Sequence, residues 1–194
     1  MKQKPMRLAK AILIFIYLDV KHLIITIDFP KIIEYTIYER KGRKMTKLQA
    51  IRAFMNFVLE EKVTITKDKF ENSNFGMDVI SSTPRVKLPR NLNFKPDKCD
   101  KAFRKDFIER CPLAKGFSSI TLTLLHECGH WATRSIMDMF EYDKMHKKAH
   151  SQEEYMKIPW EHLATEWAIC WLYSPVNRKM AKEFEKDYFG YGKE

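Results

Sequence analysis

The sequence predicts an α+β fold in which amphipathic helices pack on a small twisted antiparallel sheet. Three observations carry this. Apolar residues recur at helical spacing over four stretches, near 46–61, 118–140, 160–172 and 175–189. Three short β-rich runs, Val63-Thr64-Ile65-Thr66, 77–81 and Arg85-Val86-Lys87-Leu88, lie between turn residues, the last of them between Pro84 and Pro89. With 194 residues, 45% hydrophobic and 13% aromatic, the chain has enough apolar surface for one packed core carrying an appendage.

The appendage is residues 1–44. Lys2, Lys4, Arg7 and Lys10 precede an apolar stretch, 11–18, that imitates a signal peptide. Asp19, Lys21 and His22 end that run after eight residues, whereas a membrane span needs about 20 apolar residues, so 12–17 and 23–27 read instead as strands. Glu39-Arg40-Lys41-Gly42-Arg43-Lys44 is what a purine-rich ribosome-binding site would encode if read through, which makes Met45 a candidate start. From Thr46 the chain becomes orderly: Thr46 and Gln49 form a capping box ahead of Ile51, Phe54, Met55 and Val58, opening a helix to about 61.

The three strand runs follow, then a short helix over 101–111. Ser118 or Ser119 caps the next helix, read as running to about 140 with Leu122, Leu125, Gly129, Ala132, Ile136 and Phe140 on its buried side. The segment 143–159 reads as a charged connection with a turn of helix at 152–156. A helix over 160–172 is apolar on most sides, and Ser174-Pro175 caps a last amphipathic helix, 175–189, that buries Val176, Met180, Phe184 and Tyr188.

The third helix contains His126-Glu127-Cys128-Gly129-His130, an H-E-x-x-H pattern. Residues four apart share a helix face, so both imidazoles can reach one tetrahedral Zn²⁺. Glu127, adjacent to the first histidine, is the candidate general base: it can take a proton from the attacking water and pass it to the leaving amine. Zinc brings the pKa of water it holds to about 7, so such hydrolysis runs at neutral pH. Cys128 is turned roughly 200° from His126 by the 3.6-residue period and is no ligand. Gly129 is costly in a helix interior unless another backbone packs closely against it. A random chain with six histidines would match the pattern roughly once in a hundred, so the context has to carry the assignment.

A catalytic zinc takes a third protein ligand and keeps a fourth position open. Trp160-Glu161-His162-Leu163-Ala164-Thr165-Glu166 offers two carboxylates. Glu161 shares its face with Ala164, Thr165 and Ala168, all small enough for a close approach to the motif helix, and is the preferred ligand. Thr165 is then placed to hold a ligand histidine. Glu166, on a less polar face with Ile169 and Cys170, is the alternative. A hydrogen-bond donor to the developing oxyanion is sought in the connection between the ligands, with Tyr155 first and His150 and His162 behind it.

Thr123-Leu124-Leu125-His126-Glu127-Cys128-Gly129-His130, with Glu161-x-x-Ala164-Thr165-x-Trp167-Ala168-x-x-Trp171-Leu172-x-Ser174-Pro175, resembles the ImmA/IrrE family of metallopeptidases. That family runs T-L-x-H-E-L-G-H and later E-x-x-A-N-x-F-A-x-x-L-L-x-P, and its first Glu, the third zinc ligand, falls on Glu161. Cys128 stands where the family has Leu, Thr165 where it has Asn, and Trp167 and Trp171 where it has Phe and Leu. His130-Trp131-Ala132-Thr133 is also similar to the metallopeptidase domain of ArdC-type antirestriction proteins, with Glu161 and Glu166 matching two of its later carboxylates and His162 replacing the one between them. Both resemblances, over about 75–176, imply a zincin-like fold and a gluzincin-type zinc peptidase. They also imply that the segment 77–88 supplies a strand beside the cleft for an extended substrate, and that the substrate is a regulatory protein, such as a transcriptional repressor, of a phage or other mobile element. The competing class is an antirestriction-type protein that binds DNA or a protein and keeps zinc as a structural element.

Charge and cysteine content bound the partners. The formal charge of +10 is concentrated at the start, where residues 1–44 hold ten Lys/Arg against four Asp/Glu, while the remaining 150 hold 25 against 21. The body therefore needs no polyanionic partner, and its basic clusters at 85–90 and 144–148 lack interleaved stacking aromatics. Cys99, Cys111, Cys128 and Cys170 show no paired spacing, which fits a reduced cytoplasmic compartment. A membrane-anchored peptidase held by 11–27 is the remaining alternative. No glycine-rich phosphate loop is present.

Overall fold

The computed structural model describes residues 45–67, 75–90, 92 and 97–190, all within one compact unit. The readings made for residues 1–44 lie outside the described residues. In chain order the elements are α1 (Lys47–Leu59), β1 (Thr64–Lys67), β2 (Gly76–Asp78), β3 (Arg85–Leu88) and α2 (Lys98–Arg110). A 3-10 helix (Pro112–Gly116), α3 (Ser119–Thr133), a 3-10 turn (Arg134–Ile136), α4 (Met139–Lys148), α5 (Gln152–Met156), α6 (Pro159–Tyr173) and α7 (Pro175–Phe189) follow. The fold is mixed α+β, mostly helical, with one three-stranded sheet.

Several helix starts are written in the sequence. Thr46 and Gln49 make the reciprocal capping box of α1, Asp97 and Asp100 make that of α2, and Ser174 caps α7 with Pro175 in its first turn. The start of α3, weak in propensity because of Ile120, Thr121 and Thr123, is held from outside: Glu185 on α7 accepts from Ser118 N and Thr121 Oγ1, both at 2.6 Å. A carboxylate at a helix N-terminus satisfies free N–H groups and favours the dipole.

The sheet corrects the expected topology. Its order is β1-β3-β2, with β2 antiparallel to β3 but β1 parallel to it. The six residues between β2 and β3 close an antiparallel pair, and β1 pairs with the other edge of β3. Hence β3, expected within an edge segment, is central, and β2 is an edge strand that packs against α3. Val86 and Leu88 point into the core while Arg85 and Lys87 point out.

Two further expectations give way. The helix expected to reach residue 140 ends at Thr133, whose hydroxyl donates back to Gly129 O at 2.8 Å and whose backbone turns to φ −100°, ψ 0°. Asp138 then caps a new helix through Phe140 N and Glu141 N, so much of the supposed connection after 143 is α4. Ile136 and Phe140 are consequently exposed, as is Val176 in the first turn of α7. The core lies between α1, α3, α6 and α7, with the Phe54 and Phe184 rings stacked at 4.5 Å and Trp171 edge-on to Phe54 at 6.0 Å. Burial of a side chain such as Phe54 or Phe184 contributes about 1.5–3 kcal/mol of hydrophobic stabilisation.

Candidate metal centre

α3 and α6 pack along most of their length, and one contact fixes their separation. A Cβ placed on Gly129 would lie 2.3 Å from Ala164 O and 2.8 Å from Ala164 C and Cα. The backbones meet because each helix has a small residue at the crossing. Glu161, Ala164, Thr165, Ala168 and Leu172 form the buried face of α6, spaced one helical turn at a time. That face brings Glu161 to His126 and His130.

Their polar atoms converge on one point. Glu161 Oε2 lies 3.0 Å from His126 Nε2 and 3.2 Å from His130 Nε2. Two ligands each about 2.1 Å from a tetrahedral ion stand about 3.4 Å apart, close to both of these distances. This buried group could hold a metal ion. Thr165 donates its hydroxyl to Glu161 O at 3.0 Å, leaving an oxygen lone pair to accept from His126 Nδ1, also at 3.0 Å. That bond directs the proton to Nδ1 and turns Nε2 toward the centre. Phe103 on α2 lies edge-on to the His126 ring, 5.3 Å between centroids.

Glu161 is completely buried. Burial alone would raise its pKa, but the bonds from His126 and then His130 outweigh it and hold the carboxyl far below the usual carboxylate range. Burial pushes His130 down, and the Glu161 carboxylate more than reverses that, leaving its pKa raised. The other oxygen of Glu161, Oε1, accepts from Tyr142 Oη at 2.7 Å. Burial, then the Glu161 charge, pushes the phenols of Tyr142 and Tyr155 well above their ordinary value.

Glu127 is buried beside the histidines. Its charge acts on His130, Tyr142 and Tyr155, yet no described residue hydrogen-bonds its carboxylate. Cys128 is fully buried on the far side of α3, where loss of water raises its thiol pKa strongly. Tyr155, half-buried on α5, approaches Glu161 and Tyr142 and packs edge-on to His146 at 5.3 Å. The alternative carboxylate, Glu166, does not join the centre: Arg110 Nη2 bonds its Oε1, and His162 Nε2 lies 3.8 Å away on the same side. His150 and His162 are exposed, and among the described residues no contact ties either to the three converging groups.

Tyr142 is not among the residues the sequence predicts for the site, because it lies between a helix expected to reach residue 140 and a connection expected from 143. The signal was there. Asp138-Met139-Phe140-Glu141 is a helix start of the D-x-x-E type, and a helix begun at 139 makes residue 142 its first aromatic able to look inward. No family model, no curated protein and no solved structure matches the chain.

Proposed function

We propose that the protein is a zinc-dependent peptidase of the gluzincin type on a zincin-like fold, with His126, His130 and Glu161 as metal ligands and Glu127 as general base. One observation carries the reading. The α3–α6 crossing at Gly129 and Ala164 delivers a buried carboxylate oxygen to 3.0 and 3.2 Å from both imidazoles of an H-E-x-x-H helix. The donor set, two imidazoles and one carboxylate with a fourth tetrahedral place open, suits zinc in a catalytic rather than a closed structural site.

A zinc ion held there supplies Lewis acidity, making water acidic near neutral pH and polarising the scissile carbonyl. Glu127, free of hydrogen-bond partners among the described residues, takes the proton from water as its oxygen attacks the carbonyl carbon. As the C–N bond breaks, the same carboxyl returns that proton to the leaving nitrogen. Tyr155, with its hydroxyl kept protonated by burial and by the Glu161 charge, donates to the oxyanion. Thr165 holds His126 in the tautomer that binds metal.

The substrate in this reading is a protein segment, presented in extended form along the edge of β2 beside α3. The resemblance to ImmA/IrrE and ArdC-type peptidases makes a regulatory protein of a phage or mobile element, such as a repressor in the cytoplasm, the natural candidate. Among the described residues no helix is long and apolar enough to cross a membrane.

Metal content per chain, with Glu127→Gln beside it, tests the proposal. The expected result is about one zinc in wild type and in Glu127→Gln, loss of zinc in His130→Ala and Glu161→Ala, and retention in Glu166→Ala. Cleavage of the target regulatory protein should fail in Glu127→Gln alone among the zinc-loaded forms. Full biological effect in Glu127→Gln, with loss in His126→Ala, would instead establish a structural zinc.

A further inference from the structure

The carboxylate of Glu161 is divided between two sets of partners. Oε2 faces both imidazoles, while Oε1 faces the hydroxyl of Tyr142 at 2.7 Å. Every lone pair of a completely buried carboxylate needs a donor or a cation, so this division is not incidental. It bears on the metal as well. A carboxylate with both oxygens free can chelate an ion through both and occupy a tetrahedral site's open place.

Tyr142 is not in position to build a core. It lies on α4, which contributes no buried residue, and its ring meets Trp160 edge-on at 6.1 Å, His146 at 5.7 Å and His130 at 6.5 Å. These ring contacts aim the phenol, and the Asp138 cap fixes the helix that carries it. Tyr155 also acts on this carboxylate, but the direct 2.7 Å contact of a phenol with Oε1 is that of Tyr142.

We infer that Tyr142 is a positioning residue for the metal ligand: by occupying Oε1 it keeps Glu161 monodentate through Oε2 and so preserves the fourth, open coordination place. The inference rests on the metal-site reading above. It gives the two tyrosines different work, Tyr142 on the ligand and Tyr155 on the substrate. It also links α4 to the centre, since a movement of that helix would withdraw the donor and change how the ion is held.

Cobalt in place of zinc tests this without any substrate, because four-coordinate Co²⁺ gives strong visible bands that weaken when a further ligand atom enters. Spectra and chelator-competition affinities would be recorded for wild type, Tyr142→Phe and Tyr155→Phe, with far-ultraviolet circular dichroism to verify folding. Tyr142→Phe keeps every ring contact and removes one hydroxyl. The expected result is strong bands in wild type and Tyr155→Phe, with loss of those bands and a roughly 10–100-fold weaker affinity in folded Tyr142→Phe. Should Tyr142→Phe show wild-type bands and affinity, the inference falls while the metal site stands. Wild type that takes up no cobalt would remove the metal site and the inference together.

Discussion

Gly129→Ala adds one methyl group where α3 and α6 touch, and its consequences follow from distances. The new Cβ would stand 2.3 Å from the carbonyl oxygen of Ala164, and ordinary contact begins at 3.4 Å, so the two backbones must part by about 1 Å. Backbone cannot swing aside as a side chain can. Glu161 is three residues before Ala164 on the same rigid helix, so the shift reaches an oxygen now 3.0 and 3.2 Å from its two partners. Metal–ligand distances tolerate about ±0.2 Å, far less than this displacement. Overpacking of this kind costs about 1–3 kcal/mol, against which Ala gains about 1 kcal/mol of helix propensity over Gly. The chelator-treated variant should therefore lose at most about 2 kcal/mol. The zinc-loaded variant should lose more, by about 1.4–2.7 kcal/mol, if affinity falls ten- to hundredfold. Thermal unfolding of both forms, with zinc affinity measured against a chromophoric chelator, separates the two contributions. An alanine variant with wild-type affinity and an undiminished gain on zinc binding would refute the claim that this crossing sets the site.

Two other outcomes follow from the same geometry. Thr165→Val removes the acceptor for His126 Nδ1 and should weaken zinc binding about 10–100-fold, whereas Thr165→Ser, which keeps the oxygen, should stay near wild type in the same competition assay. For pH, the raised His130 pKa means that its pairing with Glu161 stabilises the chelator-treated protein below the unfolded imidazole value of about 6.5 and is lost as pH rises through the folded value. The depressed Glu161 places the acid limit of that contribution where unfolded carboxylates protonate, near pH 4.3, because stability is lost as pH falls below it. Zinc competes with the His130 proton, so the melting-temperature gain on adding zinc should grow from pH 6 to pH 8; a gain that is flat or falls across that range would contradict it.

What the sequence made legible was local chemistry with a fixed geometric consequence. A capping box at Thr46 and Gln49, a cap and proline at Ser174 and Pro175, and a glycine opposite a row of small residues each permit few arrangements, and the structure has them. What it hid depended on partners distant in the chain. Periodicity marks Thr64–Lys67 as a strand but is silent on whether its neighbour runs parallel, because it carries no information on which strand will pair with it. Likewise the apolar spacing of Ile136 and Phe140 continues that of α3, although Thr133 breaks the helix between them by turning its hydroxyl onto Gly129 O.

The break at Thr133 matters to the centre more than its length suggests. A helix continued to residue 140 would carry residue 142 away along the α3 axis and leave Glu161 Oε1 without its donor. By ending α3 three residues after His130 and restarting at Asp138, the chain turns back so that α4 brings Tyr142 over the histidines it has just left. Gly129 serves both ends of this arrangement. Its missing side chain admits the Ala164 backbone, and its carbonyl accepts the Thr133 hydroxyl that closes the helix. The carboxylate from α6 and its donor from α4 therefore meet because α3 is thin at one residue and ends about two turns before residue 140.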